Sequence, residues 1–343
     1  MKWQEHIGLD IGSSTIKLVQ ISPSTPNRYK LLALGQMDTP VVEDQAGWDQ
    51  ARAAAIKSLV KDTKAAGNQV AISLPESLVY TRVIEMPFLA EPDLTTTIKF
   101  QAEQYIPVPL ADVVLKHQVL TTPEVGVPGS KMSVLLVAAP NDVLTRFSLL
   151  LSNAGLELVA VETEILSVAR AVVGLETTPI VTLMVHLGAE ATTLAVFKGP
   201  LLVMVQSVNT GGSAIIRSIT NQLSLEYKQA EEYIKSYGLD ETKLDGKVSG
   251  AIKPIIELIV AEIKRVVAFY QTRQTTEPLR RLVLTGGMSL LPGLVQYFTE
   301  SINLEVQLGD VFTNVDLTDL QRKEIGENNP IFATSVGLAL KPL

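Results

Sequence analysis

Two stretches of the chain repeat one pattern, and that repeat limits the fold more than any other feature. Ile7-Gly8-Leu9-Asp10-Ile11-Gly12-Ser13-Ser14-Thr15 and Leu183-Met184-Val185-His186-Leu187-Gly188-Ala189-Glu190-Ala191 share one plan. Each is an apolar strand, a polar residue, one apolar residue, a glycine and a small or polar turn into another strand. Two copies 176 residues apart point to two similar lobes facing one another. By pattern alone, two unrelated hairpins also fit.

The stretches around the copies read as alternating strands and helices. Ile7, Leu9 and Ile11 alternate, and further β runs follow at 16–21 and 29–36. An Ala-rich helix at 48–66 carries Ile56, Leu59, Val60 and Thr63 at helical spacing and stops at Gly67, before a strand at 69–74. From 76 to 158 the order is strand (79–85), helix, strand (113–120), strand (131–138) and helix, a small α+β insertion. Its first helix starts at Glu91-Pro92-Asp93 and ends at Ile106-Pro107-Val108-Pro109, where neither proline can donate. A Pro/Gly-rich loop joins the two later strands; the second helix is capped by Asn141-Asp142 and closed by Gly155. A helix at 162–173 leads to a second β section at 180–185, 192–197 and 201–208. Residues 213–270 are mostly helical, and the best element starts at Pro254 as a first-turn proline. A strand at 280–284 runs into Gly286-Gly287, which opens a helix, and the chain closes on an apolar helix at 331–340.

Composition removes several functions. Acidic residues outnumber basic ones 36 to 29 for a net charge of −7, with no dense basic stripe, so nucleic acid is not expected as a partner. No apolar run approaches the roughly 18 residues that span a bilayer; the longest candidate, 180–196, is broken by Thr182, His186, Gly188 and Glu190. The N-terminus shows no apolar signal segment. A soluble chain without direct membrane insertion is expected. Cysteine is absent, which removes disulfides, thiolate nucleophiles and zinc–thiolate sites and suits a cytosolic location. His6, His117 and His186 lie far apart, which leaves a His-based metal site or triad without support.

The first turn has the residues for an anion. Gly12, Ser13, Ser14 and Thr15 form a tight turn whose backbone N–H groups and hydroxyls make an anion-binding concavity. Lys17 supplies a point charge for a phosphate oxygen, and Asp10 at the strand end suits a hydrated Mg²⁺. An ordinary hairpin with a capped turn has the same residues. Neither G-x-x-x-x-G-K-[ST] nor G-x-G-x-x-G after a strand is present. Thr285-Gly286-Gly287-Met288 is a strand, two glycines and a helix start, which lets backbone approach a flat ligand. Glu231 and Lys235 share a helix face and have the groups to hold ribose hydroxyls, although a solvated ion pair is the commoner reason for such a pair.

These segments resemble the actin/Hsp70/sugar-kinase superfamily and, within it, the PilM family of type IV pilus assembly, relatives of FtsA. The phosphate motif resembles Ile7-Gly8-Leu9-Asp10-Ile11-Gly12-Ser13-Ser14 through Lys17, with Gly188 in its second copy. The family's insertion resembles Ile98-Lys99-Phe100-Gln101-Ala102-Glu103-Gln104-Tyr105-Ile106-Pro107 followed by Val113-Val114-Leu115 and Gln118-Val119-Leu120. The adenosine motif resembles Leu282-Val283-Leu284-Thr285-Gly286-Gly287-Met288, and the ribose helix Ala230-Glu231-Glu232 with Tyr237-Gly238-Leu239.

The resemblance implies an α/β fold of duplicated ribonuclease-H-type lobes, actin/Hsp70-like, with an α+β insertion in the first lobe. It divides the chain into a first lobe (1–75 and 159–177), an inserted subdomain (76–158), a second lobe (178–217 and 274–343) and a helical subdomain (218–273). It implies ATP or ADP with Mg²⁺ held through Asp10, Gly12, Ser13, Ser14, Thr15, Lys17, Gly188, Glu231, Lys235, Gly286, Gly287 and Met288. It also implies a cytoplasmic adaptor at the inner membrane that binds the N-terminal cytoplasmic peptide of a PilN-like membrane protein. The expected groove lies between the first lobe and the insertion. Self-association is left open.

Two positions depart from the superfamily pattern. His186 stands where the second phosphate motif usually has Asp, so ATPase is expected to be slow or absent. The ribose-helix lysine falls on Ile234, with Lys235 one position, about 100°, further round. A small-molecule kinase would need a carboxylate base, for which Glu162 and Glu164 are the candidates. An FtsA-like filament protein would be expected to end in a basic amphipathic helix, whereas this sequence ends Ala339-Leu340-Lys341-Pro342-Leu343.

Overall fold

Strand β1 (Ile7–Ile11) is buried along its whole length, because it lies inside a sheet covered on both faces. The computed structural model describes residues 4–42, 45–90, 93–122, 131–174, 180–273 and 277–343. After β1 come β2 (Thr15–Thr25), β3 (Arg28–Asp38), α1 (Gln45–Thr63) and β4 (Gln69–Leu74). The next elements are β5 (Tyr80–Met86), α2 (Asp93–Glu103), β6 (Val113–Thr121), β7 (Met132–Pro140) and α3 (Asn141–Asn153). Then follow β8 (Glu157–Thr163), α4 (Glu164–Val172), β9 (Val181–Leu187), β10 (Thr192–Lys198) and β11 (Leu201–Val208). Helices α5 (Gly212–Leu223), α6 (Tyr227–Tyr237) and α7 (Lys247–Arg273) lead to β12 (Arg281–Thr285), α8 (Leu294–Ser301) and β13 (Glu305–Leu308). Strand β14 (Val315–Asp316) and helices α9 (Asp319–Ile325) and α10 (Ala333–Ala339) complete the chain.

The repeat in the sequence is a repeat in topology. One sheet has the order β14-β3-β2-β1-β4-β8, and another has β11-β10-β9-β12-β13. In the first, β1 pairs antiparallel with β2 and parallel with β4, while β2–β3 is antiparallel and β4–β8 parallel. The second repeats every one of these relations, with β9 in the place of β1. A third sheet, β5-β7-β6, is antiparallel and carries α2.

Side-chain alternation assigns the faces. Ile7, Leu9 and Ile11 pack outward with α1 and α3. Leu183, Val185 and Leu187 pack outward with α5, α7 and α8. Gly8 and Met184 point inward, toward a core that α4 and α10 build between the two sheets. Helix α10 lies so close on β1 that a Cβ on Gly8 would stand 2.2 Å from the Ser335 carbonyl oxygen. The crossing of α10 over α4 is tighter still: a Cβ on Gly337 would stand 1.8 Å from the Ser167 carbonyl oxygen. Asp10 and His186, the polar residues of the two copies, share the inward parity of their strands.

Several local expectations are corrected. The segment expected to begin a helix at 162 is strand β8 through Thr163, hydrogen-bonded to β4; its short apolar run has no periodicity of its own to separate strand from helix. Helix α7 begins seven residues before Pro254, which sits inside it. Asn141 does not cap α3: its Nδ2 donates to the Ala111 carbonyl, and Pro140 occupies the cap. Helix α2 ends at Glu103, ahead of the prolines. The start signal Glu91-Pro92 and the loop at 123–130 lie outside the described residues.

Candidate functional site

The first turn is held by its own backbone and by β3. The Gly12 N–H donates to the Thr15 carbonyl at 3.0 Å. Thr39, just past β3, donates its hydroxyl to the Gly12 carbonyl at 2.8 Å and its N–H to the Ser14 carbonyl at 2.9 Å. The carbonyls of Gly12, Ser14 and Thr15 are therefore occupied, while the N–H groups of Ser13 and Ser14 donate to nothing among the described residues. This turn offers donors and few acceptors, which suits an anion. Asp10 and Lys17 face each other across the β1–β2 ladder, and Lys17 Nζ donates to Asp10 Oδ2 at 3.2 Å with both side chains buried. Burial pushes the Asp10 carboxyl up, and the Lys17 ammonium pulls it back in part.

The second turn repeats the first. The Gly188 N–H donates to the Ala191 carbonyl at 3.0 Å, the counterpart of the Gly12–Thr15 bond. Gly211-Gly212 opens α5 against it: Gly212 N–H donates to the Gly188 carbonyl at 3.0 Å and Ser213 N–H to the Ala189 carbonyl at 2.8 Å. Gly286 has φ +87° and lies where a Cβ would meet the Leu187 carbonyl oxygen at 2.5 Å. Met288 Sδ would stand 2.9 Å from a Cβ on Gly212. Gly188, Gly286, Gly287 and Met288 thus come together around one backbone cradle. Gly211 and Gly212 complete it and were missed in the sequence, although Thr210-Gly211-Gly212-Ser213 has the same strand–glycine–glycine–helix signal as Thr285-Gly286-Gly287-Met288. Glu231 and Lys235 form an exposed ion pair at 3.0 Å on α6, while Ile234 between them is buried in the core. Lys235 thus leaves the face that Ile234 occupies.

His186 joins the two lobes. Its Nδ1 lies 3.0 Å from Thr285 Oγ1, and its Nε2 lies 3.5 Å from Glu164 Oε1 at the start of α4. Burial alone would push the Glu164 carboxyl up, but His186 and then Lys17 hold it below the usual carboxylate range. Asp10 feels both Glu164 and His186. Asp10, Lys17, Glu164 and His186 therefore make one electrostatic cluster between the twin turns. Among the described residues no three His, Cys, Asp or Glu side chains gather to hold a metal alone. Mg²⁺ that arrives on phosphates needs only one or two protein carboxylates, and Asp10 fits that requirement.

A groove of about 720 Å³ opens on another side, between β6–β7, the β8–α4 junction and the β10–β11 turn. Val114, Leu166 and Leu201 give it apolar walls, and Lys116, Arg170 and Lys341 bring cations. Glu162 anchors two of these: Arg170 donates to its two oxygens at 2.6 and 2.7 Å, and Lys341 donates at 2.7 Å. Burial would raise the Glu162 carboxyl, yet these two cations hold it below its ordinary value. Three successive residues therefore reach three places. Glu162 reaches into the groove, Thr163 stands between the groove and the Glu76 carboxyl, and Glu164 reaches the His186 ring.

Comparison with known proteins decides the family. The chain matches the family described as Type IV pilus assembly protein PilM over residues 8–343. It is a member of the PilM family. Its fold superposes on a chain of the solved PilM-PilN type IV pilus biogenesis complex with TM-score 0.84 and 26% identity, over 99% of this chain and 98% of that one. The cell division protein FtsA of Streptococcus pneumoniae serotype 2 (strain D39) is 23% identical over 97% of this chain and 79% of FtsA. MreB5 of Spiroplasma citri, solved bound to AMPPNP, shares the fold at TM-score 0.53 and 13% identity over 99% of this chain and 96% of MreB5. The duplicated sheets are thus those of the actin-like fold, as the resemblance implied.

Proposed function

We propose that this PilM-family protein is an actin-like, ATP-binding adaptor of type IV pilus assembly. In this reading it captures the N-terminal cytoplasmic peptide of a PilN-like membrane protein in the groove between β6–β7 and the β8–α4 junction. The observation that carries the reading is the groove itself, apolar-walled and cation-bearing, on a chain that superposes along almost its whole length on a chain of a PilM-PilN complex. An extended peptide there would use shaped pockets or strand addition. Through that peptide the protein would sit on the cytoplasmic face of the inner membrane; among the described residues no helix is long and apolar enough to cross it.

ATP or ADP would lie between the twin turns. The unspent amides of Ser13 and Ser14, the hydroxyls of Ser13, Ser14 and Thr15, and Lys17 would receive the phosphates. The cradle of Gly188, Gly211, Gly212, Gly286, Gly287 and Met288 would receive the nucleoside, with Glu231 and Lys235 at its outer edge. Asp10 would take a water of the nucleotide's Mg²⁺. The proposed division is a first lobe of 1–75 and 159–177, an inserted docking unit of 76–158, a second lobe of 178–217 and 274–343, and a helical subdomain of 218–273. A kinase base is disfavoured at Glu162 and Glu164, because each already holds a cationic or imidazole partner.

The test is fluorescence anisotropy with a labelled N-terminal peptide of the PilN-type protein, on the full chain. Val114→Glu and Leu201→Glu place carboxylates on the groove walls and are expected to weaken binding by tenfold or more (about 1.4 kcal/mol). Unchanged affinity in both folded variants would place the peptide elsewhere.

A further inference from the structure

A second cleft, of about 240 Å³, opens where the chain leaving β4, strand β5 and the outer strand β11 of the other sheet meet. Glu76, Thr81 and Ser207 line it. Glu76 is only 9% exposed. Its Oε1, Thr81 Oγ1, Ser207 Oγ and the adjacent Thr163 Oγ1 are buried without a hydrogen-bond partner among the described residues. Folded chains leave few such atoms, since each gives up its hydration for nothing in return. Here four belong to one carboxyl and its surroundings. The carboxyl is pushed up to about 7, chiefly by burial, and the neighbouring Glu164 raises it further.

The chemistry of these atoms selects the ligand. All four are oxygens, one from a carboxyl and three from hydroxyls. Arg82 lines the same cleft but lies over the Tyr105 ring at 4.7 Å, with no ion pair to Glu76. Among the described residues no cation pairs with the carboxyl, and its charged neighbour Glu164 has the same sign. A divalent ion such as Ca²⁺ takes about six to eight oxygens, usually with several carboxylates. One carboxylate among neutral hydroxyls matches a single positive charge. We propose that this cleft binds a compact monocation, an alkali ion or the ammonium head of a small amine, on Glu76, Thr81 and Ser207. The site is separate from both the nucleotide and the peptide readings and requires neither.

The experiment uses the full chain, free of nucleotide and Mg²⁺, melted at pH 8 in tetramethylammonium chloride. Potassium, sodium or methylammonium replaces the bulky cation at constant ionic strength. A saturable rise in Tm of about 2 °C or more by 100 mM is expected with at least one of them. A response to potassium or sodium identifies an alkali site, and a response to methylammonium alone an amine site. Glu76→Gln is expected to abolish the rise, and Thr81→Val and Ser207→Ala to raise the half-saturating concentration at least about fivefold. Identical melting in every cation, or a rise that survives Glu76→Gln, overturns the proposal.

Discussion

Replacing Glu76 with Gln is expected to change the pH dependence of stability with a defined sign. Burial raises the carboxyl from 4.5 in the unfolded chain to about 7 in the fold. Between those values the folded protein binds more protons than the unfolded chain, so stability falls as pH rises. The loss begins near pH 4.5 and is complete once the folded carboxyl has ionised, by about pH 8. At about 1.4 kcal/mol per pH unit, the total is on the order of 3 kcal/mol. Gln keeps the shape and cannot ionise, so Glu76→Gln and wild type should differ little at pH 5, whereas at pH 8 the variant should be more stable by up to about 3 kcal/mol. Urea denaturation of both proteins at pH 5, 6, 7 and 8, in buffers whose only cations are bulky, measures the gap. Parallel stability curves across that range would refute the reasoning, because they would mean that Glu76 is already charged in the fold.

Three further outcomes follow from the geometry. Lys17→Ala removes the cation of the first turn and leaves Asp10 buried and unpaired, so calorimetry should show ATP affinity weakened by about 1–3 kcal/mol. Gly337→Ala drives a methyl into the Ser167 carbonyl, backbone against backbone, and should destabilise by more than about 4 kcal/mol or prevent folding; a normal circular-dichroism melt would show that α4 and α10 can separate cheaply. With His186 engaged by Thr285 and Glu164, steady-state ATP turnover should fall far below the roughly 1–10³ per second of ordinary enzymes, and His186→Asp should strengthen the Mg²⁺ dependence of nucleotide binding; turnover in the enzyme range would revive a kinase.

The duplicated turns were legible because their information is local. Gly12 and Gly188 mark where the backbone folds sharply, and strict alternation sets the faces of the strands around them. What escaped the sequence depends on pairing across distance. Asp10 and Lys17 read as separate ligands for metal and phosphate, yet a four-residue turn between two strands sets them opposite one another, a register that could have been counted. Glu164 read as a candidate base; its contact with His186 exists only once the second sheet docks on α4. Strand β8 went unseen because its partner β4 lies more than eighty residues earlier and nothing within 157–163 fixes a period. Gly211-Gly212 carried a readable signal that only the cradle around Gly188 makes meaningful.

The succession Glu162, Thr163, Glu164 turns geometry into linkage. One strand end passing into one helix start commits neighbouring side chains to the groove, to the buried carboxyl of Glu76 and to the imidazole between the lobes. A ligand that drew Glu162 from Arg170 and Lys341 and shifted its backbone would act two residues from Glu164, the partner of His186. Binding free energies joined in this way are reciprocal. If an occupant of the groove changed the affinity for a ligand between the twin turns, that ligand would change the affinity for the occupant by the same factor, with two residues of backbone between the two contacts.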